Sequence, residues 1–74
     1  NNHIMQYLAE RVYAAPDGSI SVQDMYDDYR NWFASTGLRG QLGRKQFANR
    51  VEAARVTKSS RRSQGYFFMN VDLR

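Results

Sequence analysis

Between residues 39 and 62 the chain gathers side chains that can hold an anion: Arg39, Arg44, Lys45, Arg50, Arg55, Lys58, Arg61 and Arg62, with Glu52 as the one acid. A guanidinium or ammonium group draws phosphate oxygens through charge-assisted hydrogen bonds. Arg and Lys also fit the guanine edge, as Asn and Gln fit the adenine edge. Arg44, Lys45, Gln46 and Asn49 therefore have the chemistry to read base edges. Arg50, Lys58, Arg61 and Arg62, with the hydroxyl of Ser60, have the chemistry to hold phosphates. A solvated basic surface with no ligand is the plainer reading, but eight cations against one acid over this stretch favour a polyanion.

The rest of the charge is distributed against that segment. Residues 1–38 carry a net −3, residues 39–62 a net +7 and residues 63–74 a net of zero, which together give the formal +4 of the chain. Such a layout steers a polyanion to one side of the molecule and repels it from the other.

Other chemistries find little support. There is no cysteine, so neither a disulfide nor a thiolate metal site can form, and one histidine, His3, in an end expected to fray, cannot build a zinc site. Asp24, Asp27 and Asp28 lack the partner groups of an acid/base or metal centre and sit where a helix dipole favours carboxylates. No Walker motif appears, and no enzyme activity, cofactor or metal is expected. No apolar run approaches membrane-spanning length, and a cytoplasmic setting without a membrane partner follows as the default expectation. With 74 residues, one domain over 1–74 is expected, and the start at Asn1 rather than Met reads as a piece of a longer protein.

These residues need elements to position them. Ile4, Leu8 and Val12, flanked by Met5 and Ala15, predict an amphipathic helix over 3–14. Ala15-Pro16-Asp17-Gly18-Ser19 reads as a turn, followed by a bridging strand no longer than Ser19-Ile20-Ser21. Ser21 to Asp24 fits a capping box, and Val22, Met25, Tyr26, Tyr29, Trp32 and Phe33 form a helical stripe that Gly37 ends. A third helix over 44–55 buries Phe47, Val51 and Ala54 and turns Lys45, Asn49 and Glu52 directly away. Small Ala48 and Ala53 would let its backbone approach a groove. Val56 to Val71 then reads as an antiparallel hairpin with a Ser/Arg/Gly tip. Its Tyr66 to Phe68 segment is expected to pack on the helices.

This order predicts a mainly α fold with a small β-hairpin, a winged helix-turn-helix of three helices plus wing, in which helix 44–55 enters the DNA major groove and wing 58–65 lies on phosphates. The segment Val22-Gln23-Asp24-Met25-Tyr26-Asp27-Asp28-Tyr29-Arg30-Asn31-Trp32-Phe33, then Leu42-Gly43-Arg44-Lys45-Gln46-Phe47 and an aromatic strand, resembles the C-terminal winged-helix region of phage and plasmid primase-helicases, including the poxvirus primase-like group. The resemblance covers residues 10–72, with Tyr26, Tyr29, Trp32, Leu42, Phe47 and Tyr66 at matching positions. Gly43 departs from it, standing where a Ser or Thr cap is usual. The resemblance implies a parent replication protein with a nucleotide-driven helicase domain, double-stranded origin DNA as partner, and other domains or subunits of that protein as neighbours. Two other classes compete. A protein-interaction winged helix, docking a replication partner or supporting oligomer assembly, would show an exposed apolar patch. A single-strand or RNA binder would expose aromatics for stacking, for which Tyr7, Tyr13, Tyr66 and Phe68 are the candidates.

Overall fold

A computed structural model describes residues 3–74. Its elements are helix α1 (His3–Arg11), strand β1 (Val12–Ser21), helix α2 (Val22–Thr36), helix α3 (Arg44–Ala53) and strands β2 (Ser59–Arg62) and β3 (Gly65–Leu73). The strands form one antiparallel sheet in the order β1-β3-β2, so the fold is mixed, with three helices and a three-stranded sheet among the described residues.

The core forms where the apolar stripes of the three helices meet one face of the sheet. Ile4, Tyr7 and Leu8 come from α1, Met25, Tyr29, Trp32 and Phe33 from α2, Phe47 and Val51 from α3, and Val12, Ile20, Phe68 and Val71 from the strands. Aromatic rings carry the contact across layers. Tyr29 stacks on Phe47 at 4.7 Å between centroids, and Phe47 meets Phe68 edge-on at 6.5 Å. Both geometries suit the ring quadrupole and add to the burial itself. Tyr7 belongs to this core with no exposure, which removes it from the accessible aromatics. Its hydroxyl donates to Asp28 Oδ2 at 2.9 Å, and Arg11 holds the same carboxylate through Nε and Nη2. The clamp fixes α1 on α2; burial, then Asp28, pushes the Tyr7 phenol far up, and Asp28 holds the Arg11 guanidinium above its usual range.

The first helix stops at Arg11 instead of continuing to 14, because Val12 pairs with Leu73 and the chain enters the sheet. The Ala15–Ser19 segment is likewise not a turn between elements. It is a bulge inside β1: Ala14 pairs with Val71 and Ser19 with Met69, leaving residues 15–18 opposite Asn70 alone. Asp17 (φ 69°) and Asn70 (φ 61°) absorb the irregularity in left-handed conformations, which Asn and Asp tolerate better than most residues. Gly18 is there for space, since a Cβ would lie 2.9 Å from both Cβ and O of Ala15. Pro16 is acceptable because β1 is an edge strand. The bridging strand of Ser19 to Ser21 is thus the end of a ten-residue strand.

Caps follow the sequence more closely. Asp24 N–H donates to Ser21 Oγ at 3.0 Å to start α2, and Gly37 ends it in the left-handed region (φ 75°). Helix α3 ends at Ala53, two residues early, and Arg55 (φ 61°) turns the chain toward the hairpin. His3, expected in a frayed end, is half-buried in α1, with Nε2 2.9 Å from the Tyr29 hydroxyl and its ring stacked on Tyr29.

Candidate nucleic-acid interface

Helix α3 is anchored from below by Phe47 and Val51 and from its leading end by the segment 37–43. There two tyrosines of α2 grip one residue. Leu42 N–H donates to the Tyr29 hydroxyl at 2.9 Å, and the Tyr26 hydroxyl donates to the Leu42 carbonyl at 2.9 Å. The backbone immediately before Gly43 is therefore fixed, and so is the start of α3. Gly43 occupies the N-cap without a side-chain hydrogen bond, and Arg44 and Lys45 take the first two helical positions.

With the apolar side held down, Arg44, Lys45, Gln46, Asn49 and Arg50 are all exposed. Arg44, Lys45, Ala48, Asn49 and Glu52 line an open groove of about 410 Å³ whose other wall is Ser59 and Tyr66 of the hairpin, with Val22 also bordering it. Gln46, Asn49, Arg50 and Ala53 line a shallower recess of about 300 Å³ on the other flank of the helix. Asn49 belongs to both, on the ridge between them.

The hairpin register decides where its cations go. Ser59 pairs with Phe68 and Arg61 with Tyr66, so Ser59, Arg61 and Tyr66 share the sheet face of the buried Phe68, which is the face toward the helices. Ser60 and Arg62 alternate to the opposite face. There the Arg62 guanidinium stands 5.0 Å above the Phe67 ring and donates to Met69 Sδ at 3.4 Å. Lys58 shares that outer side, lining a cleft with Arg55, Thr57 and Met69. The nine candidate residues therefore fall in three places. Arg44, Lys45 and Asn49 line the groove, with Arg61 on the same hairpin face as its far wall, Gln46 and Arg50 lie on the adjoining flank with Asn49, and Lys58, Ser60 and Arg62 lie behind the hairpin.

Three residues of this region carry roles that the sequence reading did not assign. Glu52, which helical spacing turns away from the core, is half-buried because the hairpin returns there; its Oε2 accepts from Ser59 N–H at 3.3 Å. Thr57 is buried and donates to the Met69 carbonyl at 2.6 Å, closing the entry to the hairpin. Tyr66, expected to pack on the helices, is 50% exposed, whereas Phe68 is wholly buried. Strand alternation places Tyr66 on the same face as Phe68, and there it forms a groove wall opposite Arg44, Lys45 and Ala48 of α3.

Among the described residues the one salt bridge joins Arg11 and Asp28, at 2.9 Å, so none of the eight cations of residues 39–62 is paired with a carboxylate. Of the aspartates once considered for catalysis, Asp28 is held in the clamp and Asp27 accepts from Gln23. No group of three or more His, Asp or Glu side chains suited to a metal ion occurs among the described residues, and no helix there is long and apolar enough to cross a membrane. Comparison with family models, curated proteins and solved structures found no match for this chain.

Proposed function

We propose that this chain is a winged helix-turn-helix module that binds double-stranded DNA, with α3 in the major groove and the β2–β3 hairpin as the wing. The observation that supports the reading best is the open groove shared by the leading end of α3 and the hairpin, where Arg44 and Lys45, and Arg61 on the same hairpin face, form no salt bridge although Glu52 also lines the groove. In helix-turn-helix recognition the N-terminal residues of the second helix lead into the groove, and Arg44 and Lys45 hold that position here. The connection over 37–43 is longer than the usual turn of about three to four residues. The two tyrosine hydrogen bonds to Leu42 supply the rigidity that a short turn would give.

In this reading Arg44, Lys45, Gln46 and Asn49 face bases, and Arg50 and Arg61 neutralise phosphates. Lys58, Ser60 and Arg62 lie on the far side of the hairpin and meet a phosphate only if the DNA backbone wraps over its tip. The exposed large apolar side chains Met5, Tyr13, Leu38, Val56 and Tyr66 come from five different segments, which favours DNA over a protein-docking surface. The module binds rather than catalyses. On its resemblance to the C-terminal region of primase-helicases, its place is in a replication protein, gripping origin DNA beside other domains or subunits.

The test is binding to a labelled duplex with unrelated competitor sequences. Arg61→Ala should weaken binding to every sequence alike and lower the salt slope by about one, whereas Lys45→Ala/Asn49→Ala should also change the ranking of sequences. Arg62→Ala should cost less than Arg61→Ala. Equal, sequence-blind losses for all three variants would count against α3 as the reader.

A further inference from the structure

Resting on that reading of the groove, we propose that Tyr66 is a stacking platform for an unpaired base, so that the module favours a duplex carrying a short single-stranded end over the same duplex with a blunt end. The tyrosines of this chain divide sharply by what they do. Tyr7, Tyr26 and Tyr29 have hydrogen-bonded hydroxyls and lie in one aromatic cluster, and Tyr13 lies beneath the Arg74 guanidinium. Tyr66 has neither a hydrogen-bond partner nor an aromatic neighbour among the described residues, and half of it is exposed.

What surrounds the ring is the chemistry of a nucleotide. Tyr66 stands opposite Arg61 in the hairpin and shares the groove with Arg44, Lys45 and Asn49, and also with Val22, Ala48 and Glu52, whose carboxylate accepts from Ser59 N–H. Arg44, Lys45 and Arg61 supply cations for a backbone and Asn49 an amide for a base edge, with an aromatic face beside them. Nucleic-acid proteins that hold unpaired strands use this combination of a positive groove with a ring on which a base can stack. At about 410 Å³ the groove lies within the range of sites that hold ring-sized ligands. A base in a closed duplex is already stacked on both sides and would have to leave the helix to reach the ring. A base in an overhang pays little for that exchange.

The position in the fold fits a junction. Tyr66 is the second residue of β3, next to the turn at Ser63 and Gln64. A strand that leaves a duplex held by α3 toward the hairpin turn would pass this ring.

The experiment compares the intact chain with Tyr66→Leu and Tyr13→Leu on a blunt duplex and on the same duplex with a five-thymidine overhang, at one fixed salt concentration. Circular dichroism would confirm that each variant is folded. The overhang should tighten binding of the intact chain on the order of tenfold, the effect of one stacked base. Tyr66→Leu should bring the ratio of overhang to blunt affinity down to about one, whatever it does to the blunt duplex, and Tyr13→Leu should leave that ratio at about tenfold. Equal affinity for the two substrates, or an equal loss on both with Tyr66→Leu, overturns the stacking role while leaving duplex binding intact. Absence of binding to either substrate overturns the duplex reading on which it rests.

Discussion

Replacing Tyr29 by Phe isolates one hydroxyl that the structure makes responsible for the placement of α3. The ring would remain, with its stack on Phe47 at 4.7 Å, so core volume would be nearly conserved. The oxygen lost is the acceptor for Leu42 N–H and the partner of His3 Nε2, each at 2.9 Å. A typical hydrogen bond contributes about 1 kcal/mol net, and a donor left dry costs about 1–3 kcal/mol. Leu42 is only half-buried and His3 can turn to water, so the lower part of that range applies and the expected loss is about 2 kcal/mol. For a domain of this size that corresponds to a fall in Tm of roughly 10 °C. Thermal and urea unfolding followed by circular dichroism measure it, and amide exchange at Leu42 reports the local effect, which should be faster in the variant. A change within about 0.3 kcal/mol, with Leu42 exchange unaltered, would refute the claim that this hydroxyl holds the α2–α3 connection.

Stability should also fall on mild acidification. Burial, and then the charge of Arg50, hold the His3 pKa below its usual range, so the folded chain keeps the imidazole neutral while the unfolded chain takes up a proton near the ordinary value. The contribution is complete above about pH 6.5 and is lost as pH falls through that value toward the folded one. His3→Leu should flatten the difference between unfolding midpoints at pH 7.5 and pH 5.5. Gly18→Ala should destabilise by about 1–3 kcal/mol, as overpacking does, because its methyl meets Ala15 at 2.9 Å; an unchanged urea midpoint would show that the β1 bulge relaxes freely. Glu52→Gln retains an acceptor for Ser59 N–H but removes the one acid of the basic segment. Glu52 lines the proposed groove; at about 10 Å or less in water a single charge contributes at least about 0.4 kcal/mol, so duplex affinity should rise about twofold or more, and a decrease would place the DNA elsewhere.

Much of this architecture is legible in residue spacing. The stripe from Val22 to Phe33, the Ser21 cap, the Gly37 stop and the Phe47–Val51 pair all signal through local periodicity or local backbone chemistry, and each has its expected place. What escapes is set by partners distant in sequence. Tyr13-Ala14-Ala15-Pro16 lacks the alternation of a strand, and Pro16-Asp17-Gly18 reads as a turn, because the pairing that makes it a bulge comes from Met69 and Val71 on β3. Arg61 and Arg62 look like one unit in sequence, yet strand parity sends them to opposite faces once the pairing of Arg61 with Tyr66 is fixed. Glu52 points away from its own helical stripe, and only the returning hairpin turns that position into a tether. The basic face was visible as composition, but its division into groove, flank and rear is a property of the register.

If the α3–hairpin face holds duplex DNA, the affinity of the intact chain for a duplex must depend on salt. Log K should then fall linearly with log salt, with a slope of about −3 to −5 for a handful of phosphates neutralised, and Arg61→Ala should reduce the slope. Undetectable binding at low salt, or affinity indifferent to salt, would contradict duplex binding by that face.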